Sequence, residues 1–409
     1  MGISRGTNIV RDGLVFGYDT GYGVANNQIA TRFYPGEPTT NLLPSGPATG
    51  TGDFTRQSAH NESFTYSKVT NYRGRANVHK LYINPSGNTA DPYADFGGQY
   101  HKSGGSSVGD VYSVSFDFYI EKGTNGPGLS TTYANGYKQP SSSPAASLSS
   151  TTDVDLGDGW TRRTRIATIT IAGNTHFRFG CNTGGNETEV YIDNVQIELK
   201  SHATPFVDGT RSDTTSLIDL KRNTNIDVSN VSFDSTGQPD FDGTDDRIVS
   251  STGINLSSYT SLTYEGVVKA VGLASHDRWF SGTVGSTYHN PDLAIGTNGQ
   301  LGYIFSNSGI GSWNMPSGLT IDTTKFNHLV YTFTNTGVVK IYINGTQQHT
   351  ATYSNATFPN GSRFMTGMRF DNNGEGVDGS IPIAKVYSRA LTADEVTQNY
   401  NAYKNRFNL

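Results

Sequence analysis

The stretch Phe326–Tyr353, FNHLVYTFTNTGVVKIYINGTQQHTATY, decides the fold of the C-terminal half of this 409-residue chain. Its β-branched and aromatic residues fall into three runs, which we predict to be the strands His328–Phe333, Val338–Ile343 and Thr346–Tyr353. The dipeptide Asn344-Gly345 between the last two runs is the strongest short-range signal of a β-hairpin. The stretch therefore predicts a three-stranded antiparallel meander.

The middle strand of this meander indicates how it is buried. Val339, Ile341 and Ile343 point to one face, and the other face is mixed and carries Lys340. A three-stranded meander cannot bury its apolar face by itself. We therefore expect the rest of the C-terminal half to supply a second sheet and to complete a β-sandwich.

The composition agrees with an all-β protein and excludes some partners. The chain has 48 Gly and only 34% hydrophobic residues, which suits many short strands joined by turns. Its net charge is −5 with 16% charged residues, so a basic nucleic-acid-binding surface is not expected. Cys181 is the only cysteine, which excludes an intrachain disulfide and a cysteine metal cluster.

The N-terminal sequence MGISRGTNIVRDGLVF lacks an apolar core of signal-peptide length. No run in the sequence approaches the length of a membrane span. We expect synthesis in the cytoplasm of the producing cell and no membrane insertion.

One helix is predicted, at the C-terminus. Thr392 and Glu395 form a capping-box pattern, and Val396, Tyr403 and Phe407 recur at helical spacing. We expect this helix to pack on the sandwich, and the alternative is a contact between copies of the chain.

Several segments resemble a known family. "HLVYTF…GVVKIYINGT" and "DGSIPIAKVYSRALTADEV" are similar to the closing half of a laminin-G-like, concanavalin-type lectin jelly roll. "NIVRDGLVFGYDTG" resembles the first strand of such domains in structural proteins of tailed bacteriophages. In that family the strand soon leads into a segment like "FDGTDDRI", which stands here at 241–248, about two hundred residues later. The resemblance thus implies a domain inserted after the first strand.

The insert has a resemblance of its own. "TTNLL", "DLGDGWTRRTRIATITI" and "EVYIDNVQIELKSHATPFVDGTR" are similar to carbohydrate-binding modules of the galactose-binding-like jelly-roll type, and the last phrase also to phage virion proteins. The predicted fold class is all-β, with two antiparallel β-sandwich (jelly-roll) domains and one C-terminal helix. The predicted division is 1–37 for the first strand and linker, 38–205 for the insert, 206–391 for the rest of the lectin-like domain, and 392–409 for the helix.

Catalysis is not expected. Glycosidases on concanavalin-type sandwiches align paired carboxylates in a Glu-x-Asp-x-x-Glu pattern, which this sequence lacks. The nearest cluster, Glu189, Asp193 and Glu198, has other intervals, and strict alternation places Glu198 on the opposite face. Nucleophile-elbow, zinc-protease and phosphate-loop motifs are missing as well.

Metal binding stays open at three places. Alternation puts Asp193 on the core face of its strand. It caps backbone amides there, sits at the exposed end of the strand or, as the module resemblance implies, binds a structural Ca²⁺. Asp371 and Asp378 belong to an oxygen-rich stretch that is either a solvated loop or a Ca²⁺ site. The carboxylates of "FDGTDDRI" suit either Asx turns or a metal.

Glycan binding by such sandwiches relies on aromatic rings next to hydrogen-bonding groups. Each aromatic residue here is either such a platform or an ordinary core or surface residue, and Trp160 we assign to the core. The candidates for glycan contact are Trp279, Tyr288, His289, Trp313, Tyr93, Phe96 and Tyr100.

From these resemblances we expect a non-enzymatic phage virion surface protein, such as a fibre, knob or decoration, that binds host surface polysaccharide. The alternative is a purely structural capsid or tail decoration without glycan binding. Other virion proteins and further copies of the chain are the expected partners.

Overall fold

The structure is a computed structural model, and it describes the following parts of the chain. They are residues 9–20, 36–53, 56–60, 63–84, 93–99, 101–123, 128–132, 146–173, 176–182, 187–234, 236–284, 291–305, 310–354, 356–370 and 374–409. For residues 56–60, 63–64, 83–84, 93–99, 128–132, 176, 178–182 and 310–311 the description covers the backbone alone.

The chain divides into two compact units. The discontinuous unit consists of Met1–Pro38 and Ser212–Leu409, and the inserted unit is Thr39–Arg211. The first strand of the discontinuous unit, β1 (Leu14–Asp19), thus precedes the insert along the chain. The resemblance of the insert to a carbohydrate-binding module stays a prediction.

The inserted unit is built from strands and one short helix. Its elements are β2 (Thr39–Thr40), α1 (Ser45–Thr49), β3 (Arg56–His60), β4 (Ser63–Tyr72), β5 (Arg75–Asn84), β6 (Tyr93–Gln99), β7 (Val111–Lys122), β8 (Gly128–Thr132), β9 (Ala146–Leu148), β10 (Thr152–Gly157), β11 (Trp160–Ile169), β12 (His176–Asn182), β13 (Thr188–Glu198) and β14 (Thr210–Arg211). One sheet has the order β10-β11-β7-β13-β5-β4, a second β3-β6-β12-β8, and β14 pairs with β2. Its main apolar core includes Phe116, Phe177 and Ile192.

The remaining elements belong to the discontinuous unit. They are α2 (Asp213–Ser216), β15 (Ile226–Asp227), β16 (Ser232–Phe233), β17 (Pro239–Asp242), β18 (Ile248–Ser250), β19 (Ser261–Gly272), β20 (Asp277–Thr283), β21 (Asp292–Ile295), β22 (Leu301–Phe305), β23 (Ile310–Asn314), β24 (Asn327–Thr334), β25 (Val338–Ile343), β26 (Thr346–Thr352), β27 (Arg363–Thr366), β28 (Val377–Tyr387) and α3 (Ala393–Phe407).

Two antiparallel sheets form the sandwich of the discontinuous unit. One has the order β16-β17-β28-β19-β24-β25-β26, with β1 also paired to β28. The other has the order β15-β18-β27-β20-β21-β22-β23. A single cluster of buried side chains, including Tyr264, Leu293 and Phe333, lies between them. The predicted all-β, jelly-roll class is confirmed, and the structure adds the short helices α1 and α2.

The predicted meander is present as β24, β25 and β26. The Asn344-Gly345 turn joins the last two strands, and Asn344 and Gly345 have φ of 49° and 81°. Two positive φ values in succession are what a tight type I′ turn requires. Val339 and Ile341 enter the core between the sheets, as the alternation predicts.

The C-terminal helix α3 begins at the predicted cap. The Thr392 hydroxyl accepts a hydrogen bond from the Glu395 amide at 3.3 Å, and Glu395 Oε2 accepts one from the Thr392 amide at 2.9 Å. Val396, Tyr403 and Phe407 are buried against the sheet that contains β24 and β28. Among the described residues, no helix has the length and apolar character needed to cross a lipid bilayer.

A buried polar cluster lies beneath α3, and Glu265 of β19 is its centre. One carboxylate oxygen is 2.7 Å from His328 Nε2, and the other accepts hydrogen bonds from Tyr387 and Asn399 at 2.9 and 3.0 Å. Lys385 Nζ lies 3.9 Å from the second oxygen, and both side chains are fully buried. The Asn399 side chain also accepts from the Val10 amide at 2.7 Å. The cluster therefore ties α3 to the sheet and to the segment that leads into β1.

Candidate functional site

A buried arginine on β20 organises the site on the discontinuous unit. The Arg278 side chain is 1% exposed, and its Nε lies 3.2 Å from Asp292 Oδ2. Its Nη1 donates to the His276 carbonyl at 2.8 Å and forms an ion pair with Glu375. A buried guanidinium is stable only when it is paired and hydrogen-bonded, so these partners fix its position.

The Arg278 guanidinium supports the indole of Trp313 on β23. Its Cζ is 4.9 Å from the ring centroid, within cation–π range. The imidazole of His276 stacks on the same indole at 4.8 Å, with 27° between the ring planes. Trp313 remains partly exposed. The indole is therefore held at the surface by two side chains that are themselves hydrogen-bonded or ion-paired.

The carboxylates near Trp313 are paired with arginine side chains. Glu375, whose side chain is 30% exposed, pairs with both Arg278 and Arg369, and its Oε2 is 2.5 Å from Arg369 Nη1. Burial lowers the pKa of His276, and the neighbouring Arg278 lowers it further, so the imidazole is neutral at pH 7. The surface thus offers a partly exposed indole, a neutral imidazole and a shared carboxylate.

The prediction that Trp279 is an exposed platform is wrong. Its indole is fully buried in the sandwich core, 5.9 Å from the rings of both Phe280 and Tyr331. A Cβ added at Gly266 would lie 2.5 Å from the indole, so the glycine makes room for it. The β20–β21 pairing is irregular between Arg278 and Phe280, and a sequence pattern does not reveal such a register shift.

The side chains of six other candidate residues are beyond what the structure describes. Tyr288, His289, Tyr100 and the metal candidate Asp371 lie outside the described residues. Tyr93 and Phe96 lie on β6, where the description covers the backbone alone. Their assignment stays a prediction.

The carboxylate of Asp193 is paired with arginine, and the predicted core-face position is wrong. Asn194 adopts a left-handed conformation with φ of 49°, and the β13–β7 register shifts between Asp193 and Gln196. Ile192 and Val195 therefore share the core face, while Asp193 points to the other face. Glu198, after the shift, lies on the same face as Asp193, contrary to the alternation argument.

On that face Asp193 lies 3.2 Å from Arg75 Nη1, and Asp117 lies 3.0 Å from the same atom. Arg162 contacts Asp117 at 2.8 Å. Burial raises the Asp193 pKa to about 6, although Arg75 opposes the shift. These ion pairs account for the buried carboxylate, and a calcium ion there stays untested.

The acidic segment after β17 contains hydrogen-bonded turns. The Thr244 amide donates to Asp242 Oδ1 at 2.7 Å, and the Asp242 amide donates to Asp246 Oδ2 at 2.9 Å. The carboxylates of Asp242, Asp245 and Asp246 have oxygens within 4.8 Å of one another, and Asp246 is buried. The exposed Asp378 pairs with Asp242 in the β17–β28 ladder. Asx turns explain these contacts, and the metal alternative stays open.

Comparisons with known proteins agree with the fold. Residues 241–397 match the family described as the Concanavalin A-like lectin/glucanases superfamily. That range lies within the discontinuous unit and includes both Arg278 and Trp313. Among curated proteins, no match is found.

Several solved structures match part of this chain. The binding domain of botulinum neurotoxin serotype G is 16% identical, and the match covers 46% of this chain and 48% of that one with a TM-score of 0.37. Domain 4 of AbnA, a GH43 extracellular arabinanase from Geobacillus stearothermophilus in complex with arabinotriose, is 19% identical over 44% and 91%, with a TM-score of 0.34. The SAP-like pentraxin of Limulus polyphemus is 16% identical over 39% and 78%, with a TM-score of 0.32. The chain spans about half the length of the toxin domain.

Proposed function

We propose that this protein binds glycans without acting on them, and that the surface around Trp313 makes the contact. The observation that carries the proposal is the indole of Trp313, held partly exposed by Arg278 and His276 within the lectin-like residues 241–397. A rigid aromatic surface offers apolar contact to the C–H groups of a sugar, and neighbouring polar groups bind its hydroxyls.

The pairing of the carboxylates supports a binding role. Glycoside hydrolysis needs one carboxylic acid that donates a proton and a second carboxylate that acts as base or nucleophile. Asp292 is fully buried against Arg278, and Glu375 is shared between Arg278 and Arg369. Both carboxylates are held by guanidinium groups, and the fully buried Asp292 cannot reach a substrate. Nothing in this geometry favours bond cleavage.

The proposed location is the surface of a phage particle, where the ligand would be a polysaccharide of the host. The support is the resemblance of residues 8–21 and 189–211 to virion proteins. In such a place the chain would contact other virion proteins and further copies of itself. A purely structural decoration is the alternative, and it is favoured by the fact that the Trp313 ring already has two intramolecular partners.

The test is binding of the purified, fluorescently labelled chain to extracted bacterial surface polysaccharides, with and without a calcium chelator. We expect saturable binding that Trp313→Ala weakens at least tenfold. Tyr82→Ala, which removes a partly exposed aromatic ring of the inserted unit, is the control and should leave binding unchanged. Loss of binding with the chelator would support a structural calcium ion.

Two results would overturn the proposal. Binding that is equal for the wild type and Trp313→Ala would remove this surface from the site. Failure to bind any polysaccharide, together with binding to virions that lack the protein, would favour the structural decoration instead.

A further inference from the structure

A β-bulge on the edge strand β26 brings two neighbouring side chains to the same cleft. In the β25–β26 ladder Ile341 pairs with His349 and Tyr342 pairs with Gln347, so Gln348 is the extra residue. A bulge places two successive residues opposite one and redirects their side chains. Gln348 and His349 both line a cleft of about 340 Å³ on the discontinuous unit.

Hydrogen bonds from Gln300 and within the segment hold the opposite wall of the cleft, residues 316–320. The Gln300 side-chain amide donates to the carbonyls of Met315 and Pro316 at 3.1 and 3.2 Å. The Leu319 amide closes a turn to the Pro316 carbonyl at 3.2 Å, and Thr320 forms a bridge with Gln300. This wall is therefore formed before any ligand arrives.

A chain of hydrogen bonds fixes the histidine. His349 Nε2 lies 3.3 Å from the Tyr303 hydroxyl, which is 2.8 Å from the Tyr353 hydroxyl. Tyr353 in turn donates to Asn314 Oδ1 at 2.8 Å. Burial lowers the pKa of His349, so its imidazole is neutral at pH 7.

The chemistry of the lining selects the kind of ligand. Pro316, Leu319 and Ile343 supply apolar surface, while Thr320, Gln348 and His349 supply hydrogen-bonding groups. Among the residues that the structure describes, none that lines the cleft is an Asp, Glu, Lys or Arg. Transfer of a charged group from water into such surroundings costs free energy, and none of the described lining residues carries an opposite charge that would offset the cost.

We infer that this cleft is a second saccharide subsite, and that it takes a neutral sugar unit. The inference rests on the proposed glycan-binding function and adds the ligand class. The C–H face of the sugar would lie on the apolar wall, and its hydroxyls would bind Gln348, His349 and Thr320. A carboxylate at C6 would lose its hydration without finding a cation, so the cleft discriminates against uronic acids.

The test uses the full chain and pairs of oligosaccharides whose units differ only at C6. The paired units are glucose and glucuronic acid, galactose and galacturonic acid, and mannose and mannuronic acid. Calorimetric titration should show at least tenfold tighter binding of the neutral member in the pair that binds. Gln348→Ala should weaken that binding about three- to tenfold, the loss of about one net hydrogen bond. Gln347→Ala is the matched control, since Gln347 is exposed on the same strand outside the cleft, and it should have no effect.

Ser317→Lys gives a second measurement that does not depend on loss of binding. Ser317 is exposed on the cleft wall, so the lysine is accommodated and should tighten binding of the acidic member. Equal binding of both members, or wild-type affinity in Gln348→Ala, would overturn the inference. If Trp313→Ala still weakens binding at least tenfold in that case, the proposed function survives without this subsite. If the wild type binds none of these sugars and no polysaccharide, the proposed function fails and the subsite with it.

Discussion

Replacing Glu265 with glutamine should destabilise the discontinuous unit more than any surface change. The substitution keeps the shape of the side chain and removes its charge, while Lys385 stays fully buried with its Nζ 3.9 Å away. Apart from this ion pair, Lys385 Nζ has no hydrogen-bond partner in the part of the chain that the structure describes. Breaking a buried ion pair by removing one partner typically costs about 3–5 kcal/mol, because the other charge is left uncompensated.

A second substitution separates the charge effect from a packing effect. Lys385→Met removes the buried cation that Glu265→Gln leaves without its carboxylate, so the double variant should recover most of the stability that Glu265→Gln loses. Replacement of a whole buried ion pair by uncharged groups is often nearly neutral, which gives a coupling energy of about 2–4 kcal/mol in the double-mutant cycle.

Differential scanning calorimetry suits this chain because it has two units. We expect the transition of the discontinuous unit to move to lower temperature in Glu265→Gln and to return in the double variant. The transition of the inserted unit serves as the internal control, and it should not move. The reasoning would be refuted if the free energy of unfolding of the single variant fell by less than about 1 kcal/mol, or if the double variant recovered none of the loss.

Three further predictions follow from other sites. Burial alone would raise the pKa of Glu265, but Lys385, His328 and Tyr387 lower it to about 2, below the ordinary value of 4.5. The stability that this carboxylate contributes is therefore complete above about pH 4.5 and is lost as the pH falls towards 2, and acid titrations of unfolding should show Glu265→Gln without that loss. Asn194→Val should destabilise the inserted unit by about 1–2 kcal/mol more than Asn194→Gly in calorimetry, because both variants lose the hydrogen bond to Asp117 and only the β-branched residue is strained at positive φ. Arg278→Lys keeps the charge and loses the planar fork, so acrylamide should quench Trp313 fluorescence more strongly, and unchanged quenching would contradict the support that we assign to the guanidinium.

Local signals in the sequence predicted much of the fold. The Asn344-Gly345 turn and the alternation in β25 are short-range features, and so is the capping box of Thr392 and Glu395. Each depends on residues within a few positions of one another, and tertiary contacts reinforce rather than override them. The all-β class and the C-terminal helix follow from such features.

The site was harder to predict because its geometry depends on irregular strands and distant partners. Alternation assumes an unbroken register, and the bulges at Asn194 and Gln348 break it. The Arg278 side chain depends on Asp292 and Glu375, which are far apart in the sequence and carry no common motif. Trp279 and Trp313 are both tryptophans, and only the packing shows that Trp279 lies in the core and Trp313 at the surface.

The pairing of β1 with β28 has a consequence for the order in which the protein is made. A ribosome completes β1 before the inserted unit and β28 long after it. The inserted unit can therefore reach its folded state while β1 still has an open edge and no partner. The Val10–Asn399 hydrogen bond can form only after α3 has emerged and packs over the sheet. A chain stalled before β28 would expose that unpaired strand, and such edges are where newly made β proteins begin to aggregate.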